Sequence, residues 1–161
     1  MNTMQVTQHF KVNPRIILNS EKLAQLDESF LKIQSDNKRE SVLIESFTGN
    51  NQTGHLLILP LFSKSKPKVK QAVLFSNLLY TYPAEAEKLI SEGLMCSWEL
   101  GYHVAFTLDS DSIYRNSMFR NIPRNNFQSF PFRNSLFFSE LSWDGLKKVE
   151  HDLIFPVIEN N

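Results

Sequence analysis

QAVLFSNLLYTYPAEAEKLISEGLMCSWELGYHVAFTL, residues 71–108, decides the fold. It reads as strand, helix, strand. QAVLFSNLLY (71–80) is apolar and rich in strand formers. Pro83 suits the first turn of a helix, where its missing N–H costs little. Ala86, Leu89, Ile90, Leu94 and Trp98 recur at helical spacing and predict one apolar stripe. Gly101 is a natural residue just past the helix end. YHVAFTL (102–108) then returns to a β pattern.

Working upstream, SVLIESF (41–47) and HLLILPLF (55–62) form a predicted hairpin around the polar turn TGNNQTG (48–54). The continuous apolar run of the second strand predicts burial on both faces. Pro60 marks a bulge or an unpaired edge position there. SKSKPKVK (63–70) reads as a solvated tip, with an anion-facing loop as the competing reading. Residues 19–35 predict an amphipathic helix, capped by Asn19 or Ser20, with Leu23, Leu26, Phe30 and Ile33 on one face. Downstream, DSDS (109–112) is a turn or cap, and Tyr114 to Phe119 a short helix. Residues 120–135 are irregular, and SLFFSELSW (135–143) is a further strand. This order predicts a single α/β (α+β) domain over residues 1–161, with a mixed sheet flanked by helices.

Bulk composition narrows the function classes. Lys plus Arg, 17, equals Asp plus Glu, 17, so no global charge draws the chain to nucleic acid or an anionic membrane. No stretch has the roughly 20 apolar residues that a membrane helix needs, and MNTMQVTQHFKVNP lacks an apolar core of signal-peptide length. One cysteine, Cys96, excludes an internal disulfide. These features predict a cytoplasmic protein. The four histidines, His9, His55, His103 and His151, stand at no ligand spacing, so no metal is expected. Cys96 falls mid-helix without a basic neighbour and reads as a packed thiol rather than a nucleophile.

The second half resembles the GNAT superfamily of acyl-CoA N-acyltransferases. The resemblance is carried by the strand Ser76-Asn77-Leu78-Leu79-Tyr80, the helix run Lys88-Leu89-Ile90-Ser91-Glu92-Gly93-Leu94, and Leu100-Gly101-Tyr102-His103-Val104. It continues through Leu108-Asp109-Ser110-Asp111-Ser112-Ile113-Tyr114, the five-residue spacing from Tyr114 to Phe119, and the closing FFSELSWDGLKKVEHDLIFP. It covers roughly residues 41–156 and implies a GNAT-like, mostly antiparallel mixed sheet, with acetyl-CoA or another acyl-CoA as acyl donor and a small-molecule or peptide amine as acceptor. It implies Tyr114 as the acid that protonates the departing thiolate. Cofactor contacts are implied at Leu78, Leu79, Tyr80, Ala86, Lys88 and Ser112, and an oxyanion contact at the backbone of Leu79 and Tyr80. No general base is named; Glu45 and Glu92 read as solvated carboxylates.

The chain departs from the family where the pyrophosphate is gripped. The family loop is glycine-rich and aims backbone N–H groups at phosphate oxygens, helped by a helix dipole of about half a positive charge. Residues 80–87 hold no glycine, Pro83 removes a donor, and Glu85 and Glu87 bring negative charge. Each carboxylate within about 6 Å of a phosphate costs on the order of 1 kcal/mol at an effective dielectric of roughly 20–40. Lys88 offsets part of this. Met118 occupies the family's glycine position before the phenylalanine and is expected to alter that turn. Two function classes therefore stand: an acyl-CoA-dependent N-acyltransferase, and a non-catalytic GNAT-like module that has lost normal CoA binding. Arg115, Arg120, Arg124 and Arg133 interleave with Phe119, Phe127, Phe130 and Phe132. That stretch reads as a docking or homodimer surface in preference to a single-strand nucleic-acid site.

Overall fold

The computed structural model describes residues 8–16, 41–48, 50–122 and 136–155. The helix expected over 19–35 lies outside them, as do Arg124, Phe127, Phe130, Phe132 and Arg133. Strands β1 (Gln8–Ile16), β2 (Ser41–Thr48), β3 (Asn51–Ser63) and β4 (Ala72–Leu79) lead into helix α1 (Pro83–Glu99). Strand β5 (Val104–Thr107), the short helix α2 (Ser112–Asn116), β6 (Arg120–Asn121) and β7 (Phe137–Glu140) follow. A 3-10 turn, Gly145–Lys148, precedes β8 (Leu153–Ile154).

The strands lie in the order β1-β2-β3-β4-β5-β7-β6, with β8 beside the end of β3. Every pairing is antiparallel except β4 with β5. The expected mixed, mostly antiparallel sheet is therefore present. Strand alternation splits its side chains into two cores. Leu43, Leu57, Leu59, Leu74, Val104 and Phe106 face one side. Val42, Ile44, Leu56, Ile58, Val73 and Phe75 face the other, where Ala86, Leu89 and Ile90 of α1 cover them. Burial on both faces is why β3 could carry its unbroken apolar run.

Four local expectations change. The polar turn of the hairpin is short: β3 already begins at Asn51, so Asn51, Gln52 and Thr53 are strand. Pro60 pairs with Val73 on the β4 side and lies past the last β2 pair, Val42 with Ile58, so its missing N–H costs that ladder nothing. β1 was not foreseen, although HFKVNPRI sets Phe10, Val12 and Ile16 at alternate positions among polar residues; it pairs with β2. Finally, Trp98 is 56% exposed; the buried face of α1 runs through Ala86, Leu89, Ile90, Gly93, Cys96 and Ser97. Small residues decide that face, because a Cβ on Gly93 would lie 2.9 Å from Leu56 Cδ2 and 3.0 Å from Phe75. The helix comes too close to the sheet for anything larger there. The lysine-rich connector is solvated as expected, with residues 64–70 exposed and Lys66 paired to Glu150 at 2.7 Å.

Candidate active site at the parting of two parallel strands

The parallel pair β4–β5 sets up the site. Its rungs run from Ala72–Val104 to Phe75–Thr107 and then stop, while β4 continues to Leu79. Thr107 replaces the missing next rung: its Oγ1 donates to the Phe75 carbonyl at 3.0 Å and accepts from the Asp109 N–H at 3.2 Å. That turns the chain after β5 away from β4. On its other edge β4 carries a bulge, where the register against β3 shifts between His55–Leu79 and Leu57–Ser76. Asn77 sits in the bulge with φ 51°, a left-handed conformation that asparagine tolerates better than most residues. Beyond Phe75–Thr107 the Leu79 and Tyr80 backbone has no β5 partner, and this parting of the two strands is the candidate slot.

Tyr114 lies at the base of this slot. Its side chain is fully buried, packed edge-to-face on Phe119 at 5.1 Å between ring centroids. Its hydroxyl lies beside Thr107. Thr107 already spends its own proton on Phe75, and the phenol has no hydrogen-bond partner of good geometry among the described residues. Burial, reinforced by the charge of Asp109, pushes the phenol far above the usual tyrosine range, and Thr107 opposes this only in part. An orphaned buried hydroxyl is costly and calls for an explanation.

Met118 adopts φ 75°, a conformation that favours glycine, and the N–H groups of Ser117 and Phe119 both reach the Tyr114 carbonyl at 3.0 Å. The backbone bears the strain of a side chain there.

The mouth of the slot is bridged. Tyr80 Oη–H donates to Asp111 Oδ2 at 2.8 Å, joining the end of β4 to the start of α2. This bond, with some help from burial, raises the Tyr80 pKa. Asp111 is itself fixed: Oδ1 caps α2 through the Ile113 N–H at 3.1 Å, and its N–H donates to Asp109 Oδ1 at 2.9 Å.

The entrance loop holds the largest departure from the sequence-based picture. Glu85 does not face out toward a phosphate. It is fully buried beneath the loop. Its Oε1 accepts from the Thr81 N–H at 2.7 Å and from Thr81 Oγ1 at 3.1 Å. Its Oε2 accepts from Ser46 Oγ at 2.9 Å and from the Thr53 hydroxyl. Burial pushes its carboxyl up, but the hydrogen bonds from Thr53, Thr81 and Ser46 outweigh that and hold it below the usual glutamate value. Gly54 makes room for this arrangement: a Cβ there would lie 2.5 Å from the Leu79 carbonyl and 3.0 Å from Glu85 Oε1. Glu87 is exposed.

Of the residues singled out from the sequence, Tyr80, Ser112 and Tyr114 gather at the strand parting. Leu78 is half-buried against the helix-side core, and Leu79 is 56% exposed at the end of β4. Lys88 is exposed on α1. Ala86 is wholly buried, so its side chain is core and its N–H is bound to the Tyr82 carbonyl at 3.3 Å. Glu45 is buried rather than solvated, cross-strand from His55, while Glu92 is exposed. His55 Nδ1 is buried without a well-placed partner, and burial lowers the imidazole pKa against the opposing pull of the Asn77 backbone and Glu45. Ser46, Thr53 and Gly54 were not foreseen. The available signal was a glutamate at the third helical position, where a carboxylate reaches back to the preceding N–H. Cys96 is buried, and burial with Glu99 and Glu92 raises its pKa, as a packed thiol requires. Arg115 stacks on Phe137 at 5.4 Å and Arg120 on Phe138 at 4.9 Å, with Arg120 paired to Glu140 at 2.8 Å. Among the described residues no His, Cys, Asp and Glu cluster could hold a metal ion, and no helix is long and apolar enough to cross a membrane.

Splayed parallel strands between a bulged strand and a following helix define the fold of the GNAT N-acetyltransferases, and this chain has that fold. Similar solved structures include the GNAT family N-acetyltransferase YhbS of Escherichia coli in complex with CoA. It is 16% identical, with TM-score 0.64, over 92% of this chain and 89% of that one. An IAA acetyltransferase from Bacillus cereus is 13% identical, with TM-score 0.55, over 83% of this chain and 99% of that one. A GNAT family acetyltransferase from Elizabethkingia anophelis with acetyl-CoA bound is 13% identical, with TM-score 0.53, over 81% and 97%. No protein-family model matches the chain, and no curated protein matches it.

Proposed function

We propose that the protein is an N-acyltransferase, moving an acyl group from a thioester such as acetyl-CoA or another acyl-CoA to the amine of a small molecule or peptide. The observation that carries this is the unpartnered hydroxyl of Tyr114 at the point where β4 and β5 part. A core tyrosine serving only packing would be replaced by phenylalanine without loss. Its raised pKa keeps Tyr114 protonated at physiological pH, so its O–H is a hydrogen-bond donor for the departing sulfur. In the proposed reaction a C–N bond forms and a C–S bond breaks; Tyr114 supplies a proton to the sulfur, and the proton lost by the amine passes through solvent and restores the phenol. In this reading the Leu79 and Tyr80 backbone serves the developing oxyanion.

The residues present fit the two ends of such a donor unequally. The slot and the orphaned phenol suit a pantetheine arm, whereas the entrance loop is poor in free N–H groups. That loop, with the Tyr80–Asp111 bond across the mouth, favours a second reading: a non-catalytic binding module on the same fold. Calorimetric titration with acetyl-CoA separates the two, since absence of binding at millimolar ligand rejects the enzyme. With binding established, Tyr114→Phe should lower turnover of a panel of amines about a hundredfold while leaving donor affinity nearly intact. Unchanged turnover removes Tyr114 from the chemistry.

A further inference from the structure

A phosphate grip at a helix start needs backbone N–H groups free to point outward. Between Thr81 and Ala86 four of the six positions offer none. The Thr81 N–H is bound to Glu85 Oε1, Pro83 has no N–H, and those of Glu85 and Ala86 both bond the Tyr82 carbonyl, at 3.1 and 3.3 Å. Only Tyr82 and Ala84 remain. The Glu85 carboxylate also fills the place of a bound anion: it sits within the first turn of α1, fully buried and hydrogen-bonded from the loop above and the β2–β3 hairpin below. Gly54 shows that the packing beneath is tight, leaving no recess for the carboxylate to withdraw into. A diphosphate brought to this loop would meet consumed donors and a fixed negative charge.

We infer that the protein recognises its donor through the pantetheine arm alone, and that its substrate class is an acyl thioester whose binding owes nothing to a nucleotide diphosphate. This deepens the acyltransferase reading and rests on it. The arm enters where β4 and β5 part and reaches Tyr114 once the Tyr80–Asp111 bond opens, while the loop that would clamp the nucleotide half is closed by an internal carboxylate.

Competition and direct titration on the intact wild-type protein test this, with pantetheine, phosphopantetheine, CoA and adenosine 3′,5′-diphosphate as probes. Pantetheine and CoA should bind with dissociation constants within about threefold of each other, or CoA more weakly. Adenosine 3′,5′-diphosphate should not displace pantetheine. CoA binding about tenfold or more tighter than pantetheine, or displacement by the nucleotide, overturns the inference and leaves acyl transfer standing. Binding of neither pantetheine nor CoA removes acyl transfer and the inference with it.

Discussion

Replacing Glu85 tests how the entrance loop is held. Its carboxylate collects four hydrogen bonds, two from Thr81 and one each from Ser46 and Thr53, the Ser46 bond buried and the others partly so. Alanine would leave the Thr81 N–H and the Ser46 hydroxyl without an acceptor. Hydrogen bonds to a charged group are worth about 1.5–3 kcal/mol each, and two orphaned donors set the loss at about 3–5 kcal/mol. For a chain of this length that is a fall in Tm of roughly 6–15 °C. Glutamine should cost far less, about 1 kcal/mol, because its carbonyl can keep Thr81 while the hydroxyls of Ser46 and Thr53 rotate to accept from its amide. Urea unfolding, with m unchanged across the series, measures both.

The pH dependence has a definite sign. The Glu85 carboxyl is held below its ordinary value in the folded state. Its contribution is therefore complete above the unfolded glutamate pKa of about 4.3 and is lost as pH falls through the lower folded value. The wild-type advantage over Glu85→Gln should be constant from neutral pH down to about pH 5 and vanish below that. Glu85→Ala unfolding within about 0.5 kcal/mol of wild type would refute the buried-anchor argument.

Tyr114→Phe should keep the wild-type stability or gain up to about 1 kcal/mol, since it deletes a hydroxyl that the fold does not satisfy; a loss above that in thermal unfolding would mean a missed partner. Tyr80→Phe removes the bond to Asp111 across the slot mouth and should raise the association rate of pantetheine about threefold or more in stopped-flow titration, with no change if the mouth is already open. Met118→Gly relieves a left-handed residue that is 81% exposed, and should stabilise by about 1 kcal/mol in chemical denaturation. A destabilised variant would show that the Met118 side chain packs usefully despite its exposure.

The strand–helix–strand of residues 71–108 was legible because its period changes cleanly from strand to helix and back, and Pro83 and Gly101 mark the helix ends locally. Tyr114 and Phe119 were singled out by the family resemblance, and the fold packs their rings together at 5.1 Å. The buried face of α1 was not: hydrophobicity favoured Trp98, but close approach to Leu56 and Phe75 selected Gly93 and Ser97. β1 carries a period-two signal in Phe10, Val12 and Ile16, but Asn13-Pro14 interrupts it, where the register against β2 also shifts.

By itself the sequence determined the local elements and the absence of glycine from residues 80–87, since both are read within a few residues. Only the tertiary structure decided what Glu85 does. From the sequence its charge opposes a ligand; in the fold it is enclosed by Thr81 of its own loop and by Ser46 and Thr53 of a hairpin more than thirty residues away. Likewise, tyrosine at position 114 is a matter of sequence, but its unpartnered hydroxyl is not. That depends on where the fold buries the phenol, beside Thr107 and against Phe119, with no partner of good geometry among the described residues. Charge and hydrogen-bonding capacity belong to residues, whereas which of them is already spent is set by contacts distant in the chain.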